Sequence, residues 1–408
     1  MRATSPADED ADSALALLLS AARGAQACGY GAEDTERLVS ELAAQLGLAD
    51  VQVSSLPTQL ELAVGIPGRQ RIVMLRVAPT PVDLGRIVRL DAVAREIKAG
   101  RIGPREASVR IDTIARSPRP YPAPMLLFAY CVAAAGAVLL FGEDLPEAIT
   151  AAIAGLVVGS IAVARSRYRE LDLAAELVSA LSAGFISQVV SARIWPLDPR
   201  VATLGAVVVL LPGFILTQAV RELQTRNLLS GLAGLGLSSV TFLALVIGAV
   251  LGGALGARLF GPARVPGVEL PSWMFLVGAA GMGLASVVVL RAPLREAPTV
   301  VGSALLSAAV SQTGSRTVGP ALGAFVGAVV VGLVAHLNAR IRKRPVWLVT
   351  IPGVLVLVPG SVGYRSLLNL VDRDVTTSIE TGFAMVLTAA GIVFGLLLAD
   401  VLGARSRR

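Results

Sequence analysis

Charge is what this chain has least of. Asp, Glu, Lys and Arg make up 16% of its 408 residues, against 54% apolar residues, whereas soluble chains average about 25% charged. With a mean hydropathy of +0.70, the polar surface is too small to cover a globule of this size, so the apolar surplus faces lipid. That excludes a wholly soluble enzyme, a disordered scaffold and a disulfide-stapled secreted domain. Histidine is nearly absent. His336 stands alone, which excludes a His-clustered zinc or iron site. Cys28 and Cys131 lie far apart in unlike contexts, leaving neither a disulfide framework nor a Cys-rich metal site. Each reads as a small buried hydrophobe, and no cofactor is expected. The net charge of +7 does not point to nucleic acid, because much of it sits in short connections between apolar runs, where basic residues orient a membrane protein. Asp8, Glu9, Asp10 and Asp12 precede the short apolar stretch 15–22. A signal peptide wants a positive flank there, so none is expected.

The chain changes character in the run Pro118, Arg119, Pro120, Tyr121, Pro122, Ala123, Pro124. Upstream, charges are frequent. Helical spacing covers 13–26 and 33–47, with Asp34 or Thr35 as N-cap and Leu38, Leu42 and Leu46 recurring every fourth position. Three alternating runs follow, Val51-Val53, Leu60-Leu62-Val64 and Ile72-Met74, punctuated by Pro57 and by Pro67 in the stretch 65–68; they predict a small antiparallel sheet. Helices are expected over about 82–98 and 104–116, the second opened by Gly103-Pro104, with proline in the first turn where its missing N–H matters least.

Downstream, apolar runs of membrane-spanning length predict ten helices near 123–141, 148–164, 173–192, 201–220, 229–256, 273–290, 299–313, 318–338, 346–365 and 378–402. The seventh is short for a span. The expected fold is therefore a polytopic α-helical membrane protein with a small N-terminal α+β domain. Its divisions are 1–120, a first five-helix half 121–260 and a second five-helix half 261–408. With the N-terminal domain placed in the cytoplasm, cytoplasmic connections hold twice as many basic residues as the opposite side, including the tight group Arg340, Arg342, Lys343 and Arg344. Both termini are then expected inside. That basic group could also bind anionic lipid, although orientation is reason enough for it.

One feature rises above composition. The fourth span contains Leu210-Leu211-Pro212-Gly213-Phe214 and the ninth Leu357-Val358-Pro359-Gly360-Ser361. Each Pro-Gly falls mid-run and is followed by a polar stretch: Thr217, Gln218, Arg221 and Glu222 in one case, Tyr364, Arg365 and Asn369 in the other. Proline removes an intrahelical hydrogen bond, and glycine beside it relaxes the backbone. At membrane depth the freed groups must find protein, water or substrate. Five spans per half is odd, so the second half enters the bilayer inverted. Broken helices in matching positions then point to a site near the midplane. A pair of proline kinks that only shape packing is the plainer alternative.

At these residues the chain resembles the threonine/serine exporter family of bacterial inner-membrane transporters. The resemblance covers Gly31-Ala32, Pro57-Thr58, Val82-Asp83-Leu84, Glu106-Ala107 and Tyr121-Pro122. It continues through Leu211-Pro212-Gly213, Arg221-Glu222-Leu223, Leu229-Ser230-Gly231-Leu232, Ile351-Pro352-Gly353 and Leu357-Val358-Pro359-Gly360-Ser361. Two departures stand out: Arg221-Glu222 where the family often has Arg-Asp, and Thr35-Glu36-Arg37-Leu38 where it commonly has an Arg-Val-Glu run. The resemblance implies ten membrane helices, a cytoplasmic N-terminal domain and proton-driven export of threonine and serine. Two-chain relatives linked with dicarboxylate export leave the substrate open.

An amino acid presents a carboxylate and an ammonium. Half-helices opened at Pro212-Gly213 and Pro359-Gly360 would offer N–H groups and a positive dipole end to the carboxylate. Thr217, Gln218, Arg221 and Tyr364 would supply side-chain contacts, although Thr217 and Gln218 could equally satisfy nearby backbone. Glu222 leads the candidates for proton coupling over Glu176, Glu380 and His336, with an interfacial role as its plain alternative. His336 reads as a snorkelling interfacial residue. The glycines around 248–256 and 319–332 permit close helix contacts within the bundle, and a homo-oligomer stays open. An enzyme in 1–120 is not expected, since that stretch holds no histidine and no phosphate-binding loop. A channel is the remaining class, without a visible selectivity motif.

Overall fold

The computed structural model describes residues 6–405 apart from 49, 57, 66–69, 78–79, 166–167, 169–173, 266–270, 272 and 358. Pro57, Pro67, Val358, Arg167, Arg169, Arg407 and Arg408, used above, lie outside the described residues. The chain divides into two compact units, one of Met1–Arg119 with Arg221–Gly234, the other of Pro120–Val220 with Leu235–Arg408.

The first unit is α+β. It contains α1 (Pro6–Ala27), α2 (Ala32–Gln45), strands β1 (Val51–Leu56), β2 (Gln59–Val64) and β3 (Arg71–Arg76), then α3 (Leu84–Lys98) and α4 (Pro104–Ala115). The strands form an antiparallel sheet in the order β1-β2-β3, with Val53 opposite Leu62 and Leu62 opposite Val73. Alternation sends Leu60 and Leu62 inward, where with Leu17, Leu18, Leu42, Leu84, Leu90 and Ile111 they are fully buried. The cap of α2 differs from expectation. Asp34 and Thr35 lie inside the helix; Gly31 is the N-cap, extended at φ −72° and ψ 174° with no side-chain cap bond. Thr35 instead turns its hydroxyl back to the Gly31 carbonyl at 2.9 Å. Gly103 and Pro104 open α4 as expected. Gly29 has φ +81°, and a methyl group there would lie 2.8 Å from Val82 Cα, so the approach to Val82-Asp83 requires glycine. Asp83 then caps α3, accepting the Arg86 N–H at 2.9 Å.

The second unit is helical. Its elements are α5 (Ala123–Leu140), α6 (Leu145–Ala164), α7 (Ala175–Arg193), α8 (Pro199–Ala206), a 3-10 turn Val208–Leu210 and α9 (Gly213–Gln224). There follow α10 (Leu228–Phe260), α11 (Met274–Val289), a 3-10 turn Leu294–Glu296, α12 (Ala297–Val318) and α13 (Pro320–Arg342). The last are α14 (Trp347–Leu357), α15 (Gly360–Val371) and α16 (Val375–Arg405). The last turn of α9 and the start of α10 are counted in the first unit, although they fall within the first membrane half expected from sequence. Among the described residues, seven helices are long and apolar enough to cross a membrane, or eight if the bent pair of 199–224 is one span. The protein is therefore a polytopic helical membrane protein. α11 is apolar but has only 16 residues. α12 is long enough, but Ser303, Ser307, Ser311, Thr313, Ser315 and Arg316 make it polar.

Small residues let these helices touch through their backbones. A methyl group at Gly252 would lie 2.0 Å from the Leu181 carbonyl oxygen of α7, and one at Gly332 would lie 2.5 Å from Ala399 Cβ of α16. Between α5 and α11, a methyl at Gly136 would lie 2.9 Å from the Gly278 carbonyl oxygen and one at Gly278 would lie 2.5 Å from that of Gly136. Gly253, by contrast, faces open space.

Candidate functional site

The first expected break is present; at the second, α14 ends at Leu357 and α15 starts at Gly360, within a stretch 347–371 that counts as one span of 25 residues. In the first, Asp198 caps α8 by accepting the Arg200 N–H at 2.8 Å, and the chain tightens into the 3-10 turn before Leu211, which is extended at φ −61° and ψ 126°. A residue before proline is pushed out of the helical region in this way. The helix restarts after Pro212, whose carbonyl accepts the Leu216 N–H at 2.9 Å, and the two segments are bent by 53°. In the second, α14 carries Pro352 inside it. The chain restarts after Pro359, whose carbonyl accepts the Gly363 N–H at 3.0 Å. The restarted helices α9 and α15 are each 12 residues long.

The two restarts meet. A methyl group added at Gly360 would lie 3.2 Å from Leu211 Cβ, 3.5 Å from Gly213 Cα and 3.6 Å from Gly213 N. Pro212, Gly213, Pro359 and Gly360 are all buried. The first-turn N–H groups of a helix lack intrahelical partners and carry its positive partial charge. Two such ends in contact repel each other, and an anion held between them would relieve both. Ahead of the second break, serines of α12 take up carbonyls of α14 around Pro352: Ser307 Oγ donates to the Gly353 carbonyl at 2.7 Å, and Ser303 Oγ donates to that of Val349.

Of the other candidate residues, Thr217 is buried and donates to the Gly213 carbonyl at 3.0 Å, so its hydroxyl satisfies neighbouring backbone. Gln218 is half-buried. Tyr364 is fully buried among Leu204, Val207, Phe242 and Leu245, and its hydroxyl has no hydrogen-bond partner among the described residues. Arg221 and Glu222 belong to the first unit. There Arg221 pairs with Glu33 at 3.3 Å and with Asp34 at 3.8 Å. Glu222 is buried and accepts the Ala32 N–H at the start of α2 at 3.2 Å, the position where a helix dipole favours a carboxylate. Glu36 lies in the same cluster. Burial pushes its carboxyl above the ordinary value, the Glu33 and Glu222 carboxylates add to this, and hydrogen bonds from Ser55 and Asn227 oppose it. Glu176 pairs with Arg165 at 3.2 Å, and Glu380 is exposed. His336 Nε2 is 2.8 Å from Asp400 Oδ1, a partnered place across α13 and α16.

Two carboxylates were not singled out from sequence. Glu147, in Leu145-Pro146-Glu147-Ala148, is buried and accepts the Asp198 N–H at 2.9 Å. Glu296, in Leu294-Arg295-Glu296-Ala297, is buried and pairs with Arg344 at 2.9 Å. Each holds the connection leading into a broken helix, and the shared Leu-x-Glu-Ala pattern was the available signal. Turns match as well: Arg226 and Arg373, two residues past α9 and α15, have φ of 68° and 64°. At one end of the second unit, Arg200 pairs with Asp372 at 2.5 Å, while Arg365 pairs with Glu143 at 3.7 Å and stacks on Phe141.

Known sequences resemble this chain along most of its length. A family profile described as "Putative threonine/serine exporter" matches residues 16–256, and one described as "Threonine/Serine exporter, ThrE" matches residues 272–402. A protein of Mycobacterium tuberculosis named "Probable threonine/serine exporter" is 23% identical over 392 residues, covering 92% of this chain and 74% of that protein. "Pheromone-regulated membrane protein 10" of Eremothecium gossypii is 25% identical over 349 residues, 78% of this chain but only 47% of that longer protein. No solved structure matches the chain. With family profiles matching on both sides of the two breaks, the chain belongs to the threonine/serine exporter family.

Proposed function

We propose that the protein is a secondary transporter that exports threonine and serine across the cytoplasmic membrane, driven by the proton gradient. In this reading ten spans form two inverted five-helix halves, with both termini in the cytoplasm. The observation that carries it is the contact between Gly360 and Gly213. The equal lengths of α9 and α15, the paired left-handed turns at Arg226 and Arg373 and the paired carboxylates Glu147 and Glu296 support the two-half arrangement.

The substrate carboxylate sits at the two helix N-termini beside Pro212, Gly213, Pro359 and Gly360, where first-turn N–H groups and two positive dipole ends converge. The Tyr364 hydroxyl, buried without a partner among the described residues, and Gln218 are assigned to the ammonium or the side-chain hydroxyl, and Thr217 fixes the first turn of α9. Arg221, held by Glu33 and Asp34, anchors the last turn of that half-helix. Proton coupling is assigned to Glu222, a buried carboxylate on the same helix. Family membership and the relative's name suggest amino-acid export.

Purified protein in liposomes, loaded with labelled threonine, tests this. Saturable exchange that collapses with a protonophore is expected, and Glu222→Gln should retain exchange while losing the response to the proton gradient. Normal flux in a well-inserted Gly213→Leu/Gly360→Leu double variant refutes the site.

A further inference from the structure

We infer that a groove between α12, α13 and α14, away from the broken helices' junction, binds an anionic phospholipid, with the phosphate at Arg342 and Asn338 and an acyl chain along Leu306 and Val334. The groove has a volume of about 240 Å³ and is lined by both polar and apolar side chains. Thr299 and Arg342 are hydrogen-bonded to each other and Asn338 lies one helical turn before Arg342, while Leu306, Val334 and Val349 supply apolar lining. Gly302 leaves it open, since a methyl group there would meet nothing within 4 Å.

Three features select the occupant. First, Asn338 Nδ2 is buried in the lining with no hydrogen-bond partner among the described residues, a donor whose desolvation a phosphate oxygen would offset. Second, the basic group at the end of α13 is only partly neutralised. Arg344 is taken by Glu296 at 2.9 Å and Arg340 donates to the Gly403 carbonyl at 2.7 Å. Arg342 is exposed and, among the described residues, donates to Thr299 Oγ1 at 3.2 Å. Lys343 beside it is exposed too, and neither has a carboxylate partner among the described residues. Among the described residues no carboxylate lines the groove, so a cation is disfavoured there. Third, Leu337 and Ile341 of the same membrane helix are 55% and 72% exposed, so the opening lies where an apolar, lipid-facing surface gives way to basic charge. A basic pocket at the end of a membrane helix suits an anionic headgroup, and the apolar lining gives a chain-bearing lipid contacts that free phosphate cannot make.

Native mass spectrometry of the delipidated full-length protein in detergent, titrated with phosphatidylglycerol, phosphatidylcholine or inorganic phosphate, tests the assignment. Phosphatidylglycerol should be retained preferentially. Arg342→Gln should lower that retention about fivefold, the effect of one basic residue on an anionic lipid. Gly302→Leu, which fills the groove from a helical position with open space around it, should lower it by a similar factor and serves as the test should Arg342→Gln misfold. Equal retention by wild type and both variants overturns the proposal. So does retention of phosphatidylcholine to the same degree, which would mean an apolar groove without charge selection. Competition by inorganic phosphate at concentrations matching the lipid overturns it as well, by reducing the site to a free-anion site.

Discussion

Gly360 stands against Gly213: a methyl group on the former would come within 3.5 Å of the Cα of the latter and within 3.2 Å of Leu211 Cβ. Two prolines far apart in sequence thus start two helices at one buried point. Because the space is tight by only a few tenths of an ångström, side-chain size should grade the effect. Gly360→Ala should transport at near wild-type rates. Gly360→Leu should lose roughly tenfold in threonine exchange, the factor that about 1.4 kcal/mol of lost binding corresponds to. Labelled exchange in liposomes, normalised to inserted protein, checks this; equal rates for both variants would separate the junction from transport.

The serines of α12 make a second junction measurable. Ser307 is buried and donates to the Gly353 carbonyl at 2.7 Å, next to the helix-internal Pro352. Ser307→Ala leaves that buried carbonyl short of a donor and should cost about 1 kcal/mol. Gly353→Leu is predicted to be worse. Even a methyl group there would lie 2.7 Å from Ser303 Oγ and Val331 Cγ1, and overpacking of this kind costs about 1–3 kcal/mol. Thermal unfolding in detergent should rank the variants in that order.

Local chemistry made some of this legible in the sequence, and distance hid the rest. Alternation at Leu60 and Leu62 announces a half-buried strand, and Pro212 and Pro359 each lack the N–H that a continuing helix would need. The cap of α2 was misjudged because Gly31 caps with its backbone alone, so no side chain marks the boundary; Asp34 and Thr35, which look like caps, lie a few residues inside. The bond from Ala32 to Glu222 joins residues 190 apart, which no local pattern encodes. Glu147 and Glu296 stand just ahead of apolar runs in the sequence, and only folding brings them to Asp198 and Arg344.

Those carboxylates carry the third prediction. Glu296 is 4% exposed and Arg344 keeps partial access to solvent. Removing the acid strands a half-buried guanidinium, a loss of about 3–5 kcal/mol where a pair is fully buried and less here because water reaches Arg344. Glu296→Ala should therefore lower the melting temperature more than Glu147→Gln, whose amide oxygen can still accept the Asp198 N–H. A melting temperature unchanged in Glu296→Ala would mean that the ion pair contributes nothing to the connection before α14.

Glu36 supplies a pH dependence with a definite sign. Burial and the neighbouring Glu33 and Glu222 carboxylates raise its carboxyl above the ordinary value, so across the window between the ordinary and raised values the folded first unit binds more protons than the unfolded chain. Stability is then fully present below the ordinary carboxylate range and falls as pH rises through the raised value. Cys28 reports on it: the thiol is fully buried, and burial, ahead of the Asp83 carboxylate, pushes its pKa up to about 12, so labelling requires opening of the unit. In a Cys131→Ala background, maleimide labelling of Cys28 should be faster relative to Glu36→Gln at pH 7 than at pH 4.5, since the amide cannot ionise. A ratio of the two labelling rates that stays constant between these pH values would show that the carboxyl does not titrate against folding, and using the ratio at each pH cancels the reagent's own pH dependence.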